Sequence, residues 1–288
     1  MSRIPESELI LNPDGSVYHL SLKPENIADT IITVGDPGRV YRVSQYFENL
    51  EFEMNKREFI THTGKYKGKR LTVMSTGMGT DNIEIILTEL DAMVNIDLKT
   101  GEAKKRKKKL NLIRIGTSGA IQADIKPGTL LVSDAAFGLD TFNIYYDFQQ
   151  EEDFIEIAEK LKVKLNLPFM PYGVRCSEKL NKILAFDLFH GNSITAPGFY
   201  GPQGRSIRLG LHNPNILDEL EYFHEKGFWF TNFDMESSIY YGLGKALGHE
   251  VLSLNAIIAN RIKKTFSKDV NQPIDSLIKI VLNRIHQV

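Results

Sequence analysis

Three arginines, Arg39, Arg57 and Arg114, stand at the ends of apolar runs or in a hairpin, and two of them adjoin small-residue turns. Guanidinium groups present paired donors that match the oxygens of phosphate two at a time. The third lies in the stretch 112–122, LIRIGTSGAIQ, where Ile113 and Ile115 alternate with polar neighbours as in a buried strand. The spacing predicts that this strand ends in a turn at Gly116-Thr117-Ser118-Gly119. In an α/β sheet that end is where ligands bind, and small residues there let backbone N–H groups approach an anion. Thr117 adds a hydroxyl, so the stretch reads as an anion site, although an ordinary turn with a surface arginine fits the same residues. Farther on, Gln203 offers a donor and acceptors while Arg205 offers donors only, a pair able to read the polar edge of a planar base. Glu236 opens a predicted helix, a position that also suits the helix dipole.

The elements that must position these groups are strands alternating with helices. A strand is expected at 30–35, followed by a helix to 47 with Asp36 as cap and Pro37 in the first turn. Extended runs at 57–63 and 69–76 flank a Gly-bounded hairpin turn. Gly77-Met78-Gly79-Thr80 then opens a helix through Val94; it lacks the third glycine of a dinucleotide fingerprint. Further strands are expected at 129–137, 228–233 and 250–259, and helices at 152–165, 214–227, 236–247 and 272–286, with 192–208 irregular. This alternation predicts one α/β domain over residues 1–288, a three-layer α/β/α sandwich around a mixed sheet. Residues 1–18 form a polar leader and 100–110 a basic connecting loop.

A chain of 288 residues with 42% hydrophobic content can bury a full core, and its net charge of −1 offers no field for nucleic acid. The run KKRKKK at 104–109 has no interleaved aromatics and reads as a solvated loop. The lone Cys176 excludes an intramolecular disulfide, and no apolar run reaches the length of a membrane span. A soluble, cytoplasmic protein is expected.

Seven motifs follow one another in order: GDPGR at 35–39, REF at 57–59, STGMG at 75–79, IRIGTSGAIQ at 113–122, FYGPQGR at 199–205, DMES at 234–237 and ANR at 259–261. Together they resemble the pyrimidine branch of the nucleoside phosphorylase family, from residue 19 nearly to the end of the chain. The resemblance implies cleavage of uridine by phosphate to uracil and ribose 1-phosphate, with Arg114, Gln203, Arg205 and Glu236 as the catalytic groups. It implies that Gly35, Arg39, Arg114 and Thr117 hold phosphate and that Arg57 is lent by a neighbouring subunit. The active site would then be shared within a homodimer, with assembly into a hexamer left open.

For the nucleoside, the resemblance implies that Gln203 and Arg205 grip uracil with Phe199 packed on the base, and that Arg261 supports the O4 side. Glu236 would accept the ribose 2′- and 3′-hydroxyls with Met235 against the sugar, and Thr117, Ser118, Gly119 and Ile258 would complete the pocket. His19 matches a histidine that reaches the neighbouring subunit's ribose 5′-hydroxyl. Asp234 stands where the family has glutamate and is assigned no contact. Purine-specific members carry an aspartate as general acid where this chain has Asn260-Arg261, which favours a pyrimidine substrate. No cofactor is expected beyond phosphate as co-substrate; the family's potassium site would fall at Glu58 and Asn82, the latter a serine in relatives. A purine or broad-specificity phosphorylase is the alternative within the family, and a non-catalytic nucleoside-binding protein the alternative outside it.

Overall fold

The computed structural model describes residues 3–288. Strand β1 (Thr30–Val34) is buried at all five positions, between β4 (Lys69–Ser75) and β5 (Asn111–Ala120), both parallel to it. A continuous apolar run is what a strand covered on both faces requires. Helix α1 (Pro37–Ser44) starts as expected, with the Asp36 carboxylate accepting from Gly38 N–H at 2.9 Å. It stops at Ser44, short of the expected 47, because the N–H groups of Tyr46 and Phe47 bond three residues back and tighten the chain into a turn.

A strand that sequence reasoning missed, β2 (Asn49–Lys56), forms the outer edge and is exposed at most positions. Its charged residues blunt an open edge, and Leu50, Phe52 and Met54 alternate with Glu51 and Glu53, a period-2 signal that the sequence reading passed over. Arg57 and Glu58 make the turn to β3 (Phe59–Tyr66), so the extended run begins at 59 rather than 57. The β3–β4 hairpin is as expected, with Lys67 and Gly68 both at positive φ. Helix α2 (Thr80–Asn95) follows the Gly77-Met78-Gly79 stretch.

After β5 come β6 (Leu130–Gly138), α3 (Glu152–Lys164), β7 (Tyr172–Arg175), α4 (Glu178–Leu184) and β8 (Phe189–Thr195). The chain ends with α5 (Ile216–Glu221), β9 (Asn232–Asp234), α6 (Ser237–Ala246), β10 (Glu250–Asn260), β11 (Thr265–Phe266) and α7 (Asn271–Arg284). The segment 192–208 is irregular only after β8. The helix expected at 214–227 is confined to α5, because Lys226 and Gly227 adopt positive φ and turn the chain into a small hairpin, His224–Glu225 with Phe228–Trp229. The strand expected at 228–233 is accordingly split between that hairpin and β9.

The eleven strands form one mixed sheet in the order β11-β10-β6-β8-β9-β5-β1-β4-β3-β2, with β7 alongside β6. Strand β10 also pairs with β5 in parallel along its length, so β5, β10, β6, β8 and β9 close into a ring. Helices cover both faces of the sheet: α2 and α6 pack Ile83, Leu87, Leu90 and Ile239 on one, and α1, α4 and α7 pack Val40, Leu180, Leu277 and Val281 on the other.

The basic run caps a helix rather than only facing water. Lys104 Nζ donates to Val94 O at 3.1 Å and Lys107 Nζ to Asn95 O at 3.3 Å, placing cations on the last carbonyls of α2. The leader is held as well: Leu11 bridges to Val17, and Val17 is fully buried. Its residues 1 and 2 lie outside the described range.

Candidate active site

The expected turn at 116–119 does not form; β5 runs straight through it to Ala120. Strand β10 accompanies β5 along one side for its whole length. On the other side β1 pairs only as far as Ile115, and β9 takes over at Gly119. Residues 116–118 are therefore an unpaired strand edge where two neighbours diverge, the kind of switch point at which α/β sheets bind ligands. A cavity of 680 Å³ opens there.

Gly35, Arg39, Arg114, Thr117, Ser118, Gly119, Phe199, Gln203, Arg205, Met235, Glu236 and Ile258 all line this cavity, so groups scattered over more than 220 positions meet in one place. Glu58 lines it too. Residues that sequence reasoning did not place there include Met78, Phe233, Asp234 and Phe266. Met78 and Phe266 are 75% and 66% exposed, and no spacing signal distinguishes such apolar rim residues from ordinary surface ones.

Arg114 is held from two sides. Its Nη2 donates to Glu236 Oε2 at 2.5 Å, and its Nη1 to Ser253 Oγ at 3.1 Å and Asn255 Oδ1 at 3.0 Å. The guanidinium folds back over Gly116, where a Cβ would stand 2.0 Å from Nη1. Glycine is needed at 116 to seat the arginine, not to turn the chain. Burial works against the Arg114 charge, yet Glu236 and Asp234 hold its pKa above the ordinary value. Glu236 Oε1 also accepts from Gly79 N–H at 3.0 Å, at the start of α2, where the helix dipole favours a carboxylate. Gly79 takes φ +98, a conformation only glycine adopts readily.

Arg39 reaches the same region from α1, with Nη1 donating to Ile115 O at 3.1 Å. Its Nε is buried with no partner among the described residues, and so is Ser118 Oγ. Burial, and then the neighbouring Arg114, lower the Arg39 pKa to about 10. An anion at this end of the cavity would satisfy Nε and relieve the crowding of two cations.

The other end is built by Phe199, Gln203 and Arg205. Arg205 lies over the Phe199 ring at 3.8 Å, and its Nη1 donates to Phe199 O at 2.6 Å and Gln203 Oε1 at 2.7 Å. Gln203 is 4% exposed, and its Nε2 makes no hydrogen bond among the described residues. Burial and the nearby Arg261 lower the Arg205 pKa to about 10. The polar groups here can grip a planar ligand that presents carbonyl oxygens.

Four expected residues do not line the cavity. Arg261 lies behind Gly119 and donates from Nη1 to Gln203 O at 3.0 Å, so it supports Gln203. His19 is tied to Glu89, with Nδ1 at 2.6 Å from Oε1. Arg57 is exposed at the tip of the β2–β3 hairpin with φ +54. Asn82 flanks Gly77 together with Glu58 and donates to Met78 O at 3.5 Å. Asp234 is fully buried beneath the site; its carboxylate accepts from Thr195 Oγ1 at 2.8 Å and from Ser237 Oγ.

The profile of the Phosphorylase superfamily matches residues 29–283. A uridine phosphorylase of Thermococcus kodakarensis is 29% identical over 267 residues, 88% of this chain and 81% of that protein. A DeoD-type purine nucleoside phosphorylase of Buchnera aphidicola is 24% identical, over 94% of this chain and 99% of that protein. A Trypanosoma brucei nucleoside phosphorylase described as showing uridine phosphorylase activity superimposes with a TM-score of 0.88 at 29% identity, covering 97% of this chain and 100% of that one. With a family profile running from β1 into α7, and relatives alignable along most of its length, the chain belongs to the Phosphorylase superfamily.

Proposed function

We propose that the chain is a uridine phosphorylase, which converts uridine and phosphate reversibly to uracil and ribose 1-phosphate. The observation that carries this reading is the paired amide and guanidinium of Gln203 and Arg205, in the same cavity as Arg39 and Arg114. Phosphate held by Arg39, Arg114, Gly35 and Thr117 attacks the anomeric carbon as the bond to uracil N1 breaks, with inversion. Glu236 accepts hydrogen bonds from the ribose hydroxyls and offsets positive charge on the sugar, while Met235 and Ile258 pack against the nucleoside. Arg205 and Gln203 stabilise the negative charge that gathers on the departing base.

The position that would protonate a purine supports the pyrimidine choice. Asn260 Nδ2 is spent on Gln122 O at 2.8 Å and Ile125 O at 2.7 Å, and Oδ1 accepts from Lys263 N–H. No acid stands there. The Thermococcus kodakarensis and Trypanosoma brucei relatives favour the same substrate.

The exposed Arg57 and the outlying His19 fit a shared site in which each subunit of a homodimer lends both to its neighbour. Glu58 brings a carboxylate suited to a potassium ion beside Gly77, but Asn82 turns its amide nitrogen, not its oxygen, to that spot, so Asn82 does not complete such a site. Uracil release from uridine, followed by absorbance with and without phosphate, tests the reading, with thymidine, inosine and adenosine as comparison substrates. Phosphate-dependent cleavage of uridine but not of inosine is expected. Preferential cleavage of inosine would overturn the assignment.

A further inference from the structure

The ring of strands is polar where a small barrel is ordinarily filled with apolar side chains. One layer takes one residue from each of its five strands: Arg114 from β5, Asn255 from β10, Ser133 from β6, Ser193 from β8 and Asn232 from β9. They are hydrogen-bonded in series. Asn255 Oδ1 accepts from Arg114 at 3.0 Å and Nδ2 donates to Ser133 Oγ at 3.1 Å. Ser133 Oγ lies 2.6 Å from Ser193 Oγ, which in turn meets Asn232 Oδ1 at 3.1 Å and Nδ2 at 2.9 Å. Asn255, Ser133, Ser193 and Asn232 are all 0% exposed.

A buried polar chain of this kind is costly unless every member is satisfied, and apolar side chains of similar shape would stabilise the fold as well or better. Its one charged member is Arg114, which emerges in the cavity. We infer that Asn255, backed by Ser133, Ser193 and Asn232, is a positioning residue that fixes Arg114 for phosphate. This rests on the phosphate role given to Arg114 above.

The argument is an inventory of donors. Arg114 has five N–H groups. Two on Nη1 are taken by Ser253 and Asn255, and one on Nη2 by Glu236. The Nε–H and the remaining Nη2 hydrogen are left for an anion, a bidentate pair whose direction is set by where Nη1 is anchored. Turning the Asn255 amide over would set its –NH₂ against the guanidinium, so the oxygen must face Arg114. Tyr241 steadies the frame: its hydroxyl accepts from Ser253 N–H at 2.9 Å and donates to Ser133 O at 2.7 Å.

The test uses phosphate and uracil as separate probes, titrated calorimetrically into the full-length protein, alongside uridine turnover. Asn255→Leu should weaken phosphate binding about 10- to 100-fold, the usual loss when a charged donor's buried partner is removed. Uracil affinity, set by Gln203 and Arg205, should stay within about twofold, because additivity holds for sites that share no partner. Ser133→Ala leaves Arg114's own contacts intact and should weaken phosphate by about 2- to 10-fold; it carries the test if Asn255→Leu does not fold. Phosphate affinity equal to wild type in the folded variants, with only thermal stability changed, would overturn the positioning role. A wild type that binds phosphate but cleaves no uridine would overturn the substrate reading and leave this one standing.

Discussion

Arg205 shows how one side chain can be held in place before any substrate arrives. Its stack on Phe199 and its bond to Gln203 Oε1 leave it little freedom to lose. Arg205→Ala should lower uridine turnover by roughly 10²–10³ while phosphate binding survives. Steady-state kinetics with both substrates varied would check this, and undiminished turnover would remove uracil from this end of the cavity. Gly116 makes the complementary case at the other end. A methyl group in Gly116→Ala would meet Arg114 Nη1 at 2.0 Å and push the guanidinium off its anchor. We expect a loss of about 10²-fold in kcat/KM for phosphate, the scale of a 1 Å misplacement, with a smaller effect on KM for uridine. Arg39, Arg114, Gln203, Arg205 and Glu236 were legible from their motifs taken together and in order, since each alone also suits an ordinary turn, loop or helix start. Asn255 and Ser253 were not, because a polar residue on an apolar strand gives no hint of what faces it.

Among the elements, α2, α6, β10 and the β3–β4 hairpin were legible, being long or bounded by glycine. The misreading of β5 is more instructive. Gly116, Thr117 and Ser118 have the composition of a turn, but β10 supplies a continuous backbone partner and keeps them extended. Pairing between strands distant in sequence overrode a local preference, and no window of residues reports such pairing. The start of α6 carries a further consequence. Asp140, in the loop after β6, accepts from Ser238 Oγ at 2.5 Å, Phe142 N–H at 3.0 Å and Tyr172 OH at 2.8 Å. Burial nevertheless raises its pKa. An acid with a raised folded-state pKa binds its proton more tightly in the folded chain, so stability declines as pH rises from the ordinary carboxylate value through the raised one. Asp140→Asn should flatten this decline, which sets in at the ordinary carboxylate range and continues above it. Thermal unfolding across that range measures it; an unchanged slope would mean that Asp140 does not cause it.

For the molecule as a whole, the decisive prediction concerns subunits. Arg57→Ala and Arg114→Ala should each be inactive alone if Arg57 serves a neighbour's cavity. Mixed and allowed to exchange, they should regain roughly a quarter of wild-type activity, since half of the dimers are hybrid and each carries one intact site of two. A mixture that stays inactive would confine Arg57 to its own chain. The closure of the sheet belongs to this scale too: the order of strands around a ring follows from pairings that only the folded chain reveals, whereas alternation of strands and helices was plain beforehand.

The strand that changes neighbours midway also makes the enzyme readable by deuterium. Amides of Leu112 to Ile115 are flanked on both sides and should exchange only when the whole domain opens. Along Gly116 to Ser118 the amides that point away from β10 face an open margin and should exchange sooner, then slow when phosphate settles against them. Mass spectrometry of peptides from this strand would thus report anion occupancy directly, without a substrate or a reaction.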